Sequence, residues 1–311
     1  MTKYILKRIL VSAVTLFTIT FILFLLLEFL PGSPFNDEKM DDATRILLME
    51  KYGLDQPFLT RFGIYVNNLI HGDFGVSYNI KRDMPVSMML VTRLPVTIRI
   101  GLQALVIGVV LGLTLGIIAA LKKNTWIDSS ATFFSVLGFS VPSYVFALLL
   151  VFFVAYKLQW FPIRYDPKEP IYSSVLPTIS LAVYIIAVMA RYARSEMIDC
   201  LNSDYIVLAK AKGIDQRKVI LRHALRNTLV PIITVIAPLM IGLITGSVVV
   251  EQIFGVPGLG QLLLSGIQNK DINVICAVAL VYSSLYIVII LVVDLLYGLI
   301  DPRIRVAGGR E

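Results

Sequence analysis

Six times along this chain, about twenty residues pass almost without a charged side chain: 9–27, 100–121, 131–156, 175–193, 229–250 and 274–300. Nothing else constrains the fold as strongly. A helix rises 1.5 Å per residue, so about 20 apolar residues cross the roughly 30 Å hydrocarbon core of a bilayer. The runs are solid rather than alternating, which argues against a transmembrane barrel. Composition agrees. Of 311 residues, 57% are hydrophobic and 16% charged, against about 25% charged in soluble domains. A water-soluble enzyme has too little interior for so much apolar surface, and disorder needs the opposite composition. The expected fold is an all-α membrane protein with six transmembrane helices.

Lys3, Lys7 and Arg8 precede the first run, as in a secretory signal. The run is longer than a 7–15-residue signal core, and no small-x-small cleavage site follows it. A helix stop follows instead, Leu30-Pro31-Gly32-Ser33-Pro34, so a retained span is expected. Basic residues collect on the cytoplasmic side of short loops. With the N-terminus inside, the inner segments hold Lys3, Lys7, Arg8, Lys122, Lys123, Arg191, Arg194, Lys210, Lys212, Arg217, Lys218, Arg222, Arg226, Arg303, Arg305 and Arg310. The two short outer loops hold only Lys157, Arg164, Lys168 and Lys270. Both termini are therefore expected in the cytoplasm. The net charge of +7 reads as this bias and not as a nucleic-acid surface.

Ionisable residues are scarce deep in the runs. Glu28 and Asp294 lie near their ends, where a charge can be hydrated or snorkel. That argues against a proton- or sodium-driven carrier. Neither His71 nor His223 falls in a span, so no redox or metal centre is expected there. Cys200 and Cys276 are too few for a disulfide framework and read as ordinary thiols.

Two loops are long. The outer one, 31–98, carries Leu47, Leu48, Tyr52, Phe58, Phe62, Tyr65, Val66 and Leu69 at roughly helical spacing, punctuated by Gly53, Pro57, Gly63 and Gly72. It reads as a small extracellular cap of short helices, either a lid on the spans or a docking element. In the inner one, 194–228, Asn202 or Ser203 can cap a helix over 204–212 that stops at Gly213. A second amphipathic helix over 216–226 then leads through Pro231 into the fifth span. A basic loop lying on anionic lipid explains the charge. It does not explain Ala209, Ala211 and the placed glycine.

At these residues the chain resembles the type I permease subunits of ABC importers for oligopeptides, dipeptides and nickel. More narrowly it resembles their B-type peptide permeases, and the likeness runs along the whole chain. It is carried by Tyr4-Ile5-Leu6-Lys7-Arg8, Leu30-Pro31-Gly32-Ser33-Pro34-Phe35, Tyr52-Gly53-Leu54-Asp55-Gln56-Pro57 and Gly72-Asp73-Phe74-Gly75. Leu94-Pro95-Val96-Thr97, Gly138-Phe139-Ser140-Val141-Pro142-Ser143 and Leu158-Gln159-Trp160-Phe161-Pro162 follow in order. Glu251 to Gly260 and Val293 to Arg305 complete the series. Each string is short; their order is specific.

The resemblance implies a type I ABC importer permease fold. Residues 1–30 would form the N-terminus and first span, 31–98 the cap, 99–300 a five-helix core and 301–311 a cytoplasmic tail. It implies that loop 194–228 couples to an ATPase through Asp204, Tyr205, Ala209, Lys210, Ala211, Lys212, Gly213 and Arg217. General importer permeases carry Glu-Ala-Ala, three residues, then Gly. Here Val207 and Leu208 replace the first two, while Asp-Tyr-x-x-x-Ala-x-Ala-Lys-Gly matches the peptide-importer version. Small side chains at Ala209 and Ala211 suit entry into a groove, with Lys210, Lys212 and Arg217 pairing acidic groups at its rim. Gly242, Thr245, Gly246 and Ser247 fit either a translocation path or close helix packing.

The chain lacks Gly-x-x-x-x-Gly-Lys-Ser/Thr, and Gly255 to Gly260 has no Lys in place. No cofactor or metal is expected on this chain, and it is not expected to be an enzyme. ATP and Mg would belong to two cytoplasmic ATPases. The other implied partners are a C-type permease, an extracytoplasmic peptide-binding protein, the peptide and membrane lipid, with no nucleic acid. The implied location is the bacterial cytoplasmic membrane. The same architecture importing nickel or a metal chelate is the nearest alternative. A membrane hydrolase would need a catalytic constellation, and none is found. A channel would need no ATPase.

Overall fold

The computed structural model describes residues 2–29 and 41–300. The side chains of 2–7, 42, 230, 245, 246 and 293–300 lie outside that description, as do the 30–35 motif and the 301–311 tail. In chain order the helices are α1 Thr2–Glu28, α2 Asp42–Lys51, α3 Phe58–Ile70, α4 Val86–Leu121, α5 Trp126–Ser140, α6 Ser143–Leu150, α7 Pro170–Ser173, α8 Val175–Leu201, α9 Asp204–Ala211, α10 Gln216–Lys218, α11 Leu225–Phe254, α12 Leu259–Gln268 and α13 Ile272–Ile300. Helix α6 continues as a π-helix over Val151–Lys157, and α10 over Val219–Ala224.

Four helices are long and apolar enough to cross a membrane: Arg8–Glu28, Val86–Leu121, Val175–Leu201 and Ile272–Val292. They contain the first, second and fourth expected runs and much of the sixth. The third run is not straight, and the fifth begins at a bend. Trp126–Ser140 and Ser143–Lys157 meet at 102°, and Gln216–Leu229 and Pro231–Ile244 at 48°. Proline causes both breaks. Pro142 has no N–H to donate, and its ring drives Val141 to φ −90°, ψ 119°. Pro231 likewise removes a hydrogen bond inside α11.

One compact unit comprises Met1–Thr97 with Pro257–Ile287. Phe58, Phe62, Tyr65 and Leu69 recur at i, i+4, i+7 and i+11, so they form one stripe on α3. The stripe packs on Phe21, Phe24 and Leu27 of α1 and on Ile272, Cys276 and Leu280 of α13. The Phe21 and Phe62 rings meet edge to face at 5.2 Å. A second cluster joins Val86, Met89 and Leu90 of α4 to Leu259 and Leu262 of α12 and Val274, Ala277 and Val278 of α13. Thr97 Oγ1 accepts the Leu259 N–H at 2.8 Å, which satisfies a donor left free at the start of α12.

Loop 71–85 of this unit is organised by one buried carboxylate. Asp271 is fully buried. Its Oδ2 accepts from Ser77 Oγ at 2.6 Å, Tyr78 N at 3.0 Å, Asn79 N at 3.1 Å and Ile80 N at 3.4 Å. Asn273 Nδ2 donates to the Val76 carbonyl at 2.9 Å. Such a charge tolerates burial because several donors converge on it.

The other unit comprises Ile98–Val256 with Val288–Glu311. Helix α8 is its centre, and more than half of its apolar stretch is buried. Gly108, Gly112 and Gly116 fall on successive turns of α4 and lie against it. A Cβ at Gly108 would stand 2.6 Å from Ile185 Cβ, and one at Gly112 2.6 Å from Met189 Cβ. At Gly116 it would strike the Ala190 carbonyl. On α5, a Cβ at Gly138 would lie 2.9 Å from Ala187 Cβ. Glycine at four-residue spacing lets two backbones approach where lipid supplies no hydrophobic drive. Asp128 of α5 holds Arg194 of α8 through two contacts, Arg194 Nε to Oδ1 and Arg194 Nη2 to Oδ2, the second 2.8 Å. Arg194, counted among the inner-side basic residues, is thus a pinning group near the end of α8.

Candidate functional site

Helix α9 begins at Ser203, whose backbone is extended at φ −75°, ψ 151°. The Ser203 hydroxyl makes no side-chain cap; it donates back to the Cys200 carbonyl at 2.5 Å. The other end closes as the sequence indicates. Gly213 takes φ +73°. Its N–H bonds the Lys210 carbonyl at 2.9 Å, and the Ile214 N–H bonds the Ala209 carbonyl at 3.3 Å. That pair is a Schellman cap. Ile214 packs on the same cluster as Ala209, which supplies the apolar contact that accompanies such caps. A Cβ at Gly213 would meet nothing within 4 Å. Glycine is required there by the backbone angle and not by space. Asp215 then caps α10, its carboxylate accepting the Arg217 N–H at 3.1 Å.

The inward face of α9 is Ile206 and Ala209, both buried. They pack with Ala120 of α4, Met197 and Cys200 of α8, and Val219 and Ala224 of the π-helix. Tyr205 adds a polar tie: its hydroxyl lies 2.7 Å from Cys200 Sγ, and that thiol donates to the Ala224 carbonyl at 3.3 Å. The helix is therefore seated on the ends of two long helices and on the segment that leads into α11.

The outward face differs from the sequence expectation. Ala209 was expected to offer a small side chain to a partner; it points into the chain's own core. The 100° turn per residue explains this. Ile206 and Ala209 are one turn apart and share a face, so Val207 and Leu208 turn outward, 58% and 56% exposed. Asp204, Lys210, Ala211, Lys212, Gly213 and Arg217 are exposed as well. Tyr205 is 43% exposed while its hydroxyl stays engaged. The result is an apolar ridge with cations at its C-terminal end, on a supported helix closed by a glycine cap at its C-terminus. Such a surface can enter an apolar groove with an acidic rim.

The second set of expected residues lies on α11, apart from α9 in the chain. Ser247 is buried and its hydroxyl bonds the Ile244 carbonyl at 3.0 Å. An added Cβ at Gly242 meets nothing within 4 Å, so that glycine serves no close crossing with a described helix. The side chains of Thr245 and Gly246 fall outside the described residues. The close crossing belongs to Gly108, Gly112 and Gly116, whose four-residue spacing was the available signal. Cys200 and Asp215 were also missed as site-forming groups. Cys200 lies five residues before Tyr205, across the break between α8 and α9, and Asp215 stands before Gln216 as an ordinary N-cap.

Residues 112–306 match the family described as binding-protein-dependent transport system inner membrane component. The dipeptide transport system permease protein DppB of Lactococcus lactis subsp. cremoris (strain MG1363) is 42% identical over 305 residues, 98% of this chain and 100% of that one. The oligopeptide transport system permease protein OppB of Haemophilus influenzae is 39% identical over 306 residues, again 98% and 100%. Among solved structures, the inward-facing MetNI methionine ABC transporter matches with a TM-score of 0.58 at 15% identity, covering 69% of this chain and 97% of that one. This last likeness speaks to the fold alone. With its apolar helices and with relatives alike from end to end, the chain belongs to the family of binding-protein-dependent transport system inner membrane components.

Proposed function

We propose that this chain is the B-type permease subunit of an ATP-driven importer of dipeptides or oligopeptides in the bacterial cytoplasmic membrane. The observation that carries the reading is identity of about 40% along the whole length to permeases named for those substrates. Those names favour peptide over nickel or a metal chelate. In the proposed topology six spans cross the bilayer, the third bent at Pro142 and the fifth entered through a bend at Pro231. Both termini and loop 194–228 face the cytoplasm, and the 31–98 region faces out. The partners are a C-type permease, two ATPases that bind ATP and Mg, and an extracytoplasmic peptide-binding protein.

Helix α9 is the coupling element. Its ridge of Val207, Leu208 and Ala211 enters a groove on the ATPase, and Lys210, Lys212 and Arg217 pair with acids at the rim. Its inward face, Ile206 and Ala209, is bound to the ends of α4 and α8. When ATP draws the two ATPases together, α9 is displaced as a rigid body. The helices it is packed on follow, and the cavity between the permeases turns outward to receive peptide. Hydrolysis restores the inward state. Coupling is then the bias of one two-state element by two sites.

Uptake in proteoliposomes tests the reading. Labelled di- and tripeptides are expected to accumulate only with internal-facing ATP and the binding protein present. A nickel chelate transported in their place, with peptides excluded, contradicts the substrate assignment.

A further inference from the structure

The exposed residues of α8 are Tyr184, Arg191, Ser195 and Asp199. All are polar, although α8 is long and apolar enough to cross a membrane. With the half-buried Val188 they stand at i, i+4, i+7, i+11 and i+15, so they form one stripe. Met189 and Ala193, on the far side, belong to a core cluster with Ile232 and Leu239 of α11 in the same unit. Helix α4 shows the reverse pattern. Its exposed residues in this unit include Leu102, Val106, Val110, Leu111, Leu115 and Ile118. The exposed polar residue there, Thr114, returns its hydroxyl to the Val110 carbonyl at 2.7 Å. An apolar exposed face suits lipid; a polar one on a spanning helix suits water or a polar partner.

Arg191 and Arg194 are one turn apart on α8, yet their side chains diverge along α5. Arg194 reaches Asp128, near the start of α5 and next to Lys122 and Lys123 in the chain. The Arg191 guanidinium carbon lies 4.9 Å from the centre of the Phe139 ring, near the other end of α5. Residue 139 stands about 16 Å of helix beyond residue 128. Arg191 therefore does not carry its charge toward the lysine-bearing end, as a snorkelling side chain would. It sits inside the apolar run 175–193, exposed and without an ion pair to a described residue. A charge so placed is costly in lipid and belongs in a water-filled path or beside an opposite charge. Phe139 is itself half exposed and stacks with Tyr184 at 5.8 Å. A guanidinium lying on a ring keeps the N–H groups at its edge free.

We propose that this stripe faces a water-filled path through the membrane, and that Arg191 receives the C-terminal carboxylate of the peptide in transit. Peptide side chains vary, whereas the terminal carboxylate is constant, and a guanidinium fork grips a carboxylate through two hydrogen bonds. Phe139 holds the plane of the guanidinium, with Tyr184 behind it. Ser195 continues the polar wall one turn further along α8. The same cation would repel a metal ion. The peptide as ligand rests on the permease reading above; a water-facing stripe that binds a carboxylate does not.

The test uses the assembled importer in lipid nanodiscs, without nucleotide or binding protein, and the anionic thiol reagent sulfonatoethyl methanethiosulfonate. Cys200 and Cys276 are buried, which keeps the background low. Ser195→Cys is expected to react, and Val110→Cys, on the apolar face of α4, is expected not to. Trialanine should slow the reaction at Ser195→Cys; trialanine amide, which lacks the carboxylate, should not. Adding Arg191→Gln should raise the trialanine concentration that halves the rate about tenfold, and Arg191→Lys should recover part of that loss. Arg191→Gln breaks no ion pair with a described residue, so Tm should stay nearly unaltered, whereas a merely structural role would lower it. No reaction at Ser195→Cys overturns the proposal, because the stripe is then covered by a neighbouring chain. Equal protection by trialanine and its amide, or equal protection with and without Arg191, overturns it too. So does absence of protection in an importer that still takes up peptide, and the permease reading then stands alone. Protection as expected, in an importer that moves no peptide with ATP and binding protein, supports the site and counts against the permease reading.

Discussion

Gly213 ends α9 in a left-handed conformation, with open space where a side chain would go. Backbone angle and steric room are therefore separable at this residue. Gly213→Val places a β-branched side chain at φ +73°, which costs more than the roughly 1–2 kcal/mol of an ordinary residue. The strain falls on the cap that Gly213 closes. ATP-driven uptake is expected to fall about tenfold or more at matched membrane abundance, since a coupling loss of 1.4 kcal/mol is already tenfold. Gly213→Asn, which tolerates the left-handed region, should retain most uptake. Wild-type uptake by the valine variant, at equal expression, would detach the coupling role from this helix. Gly213 was legible because its signal is local: a glycine just past a helix pattern. Asp271 was not. It reads in sequence as a charge at a membrane rim, and its four partners lie about 190 residues away.

Among the elements, the pairing of α4 with α8 and the seating of α9 decide what can move together. Gly112 stands against the backbone of α8, whereas a Cβ at Gly101 on the same helix meets nothing within 4 Å. Gly112→Val is expected to cost about 1–3 kcal/mol by forcing the helices apart, and to lower Tm in detergent. Gly101→Val, with the same propensity change, should leave Tm nearly unaltered. Equal losses would mean that the crossing is looser than described. On α9, the turn of the helix makes neighbouring residues differ. A cysteine at Leu208 should cross-link to a partner ATPase, and one at Ala209 should not. A cross-link from Ala209 alone would put the buried face in the groove. Solid apolar runs made the long helices legible; the 102° break at Pro142 was not read, because the apolar run continues through it. The facing of α9 was hidden, because Ala120, Met197 and Val219, which select Ala209 as the inward residue, come from three distant stretches of chain.

For the whole molecule, the sequence carries no Gly-x-x-x-x-Gly-Lys-Ser/Thr, and the chain places one short helix, closed by a glycine cap, where two long helices end. Under the proposed coupling, this chain stores no energy and borrows motion from its ATPases. Its specificity at the molecular scale therefore depends on what assembles with it. The most direct measurement is a mild-detergent pull-down of the tagged chain from its native membranes, with mass spectrometry of the co-purifying chains. A second permease of the same family and two ATPases bearing phosphate-binding loops are expected, and Gly213→Val should carry the ATPases in reduced amount. Reproducible recovery of this chain alone, as a homo-oligomer with no ATPase, would contradict the account and point to a channel.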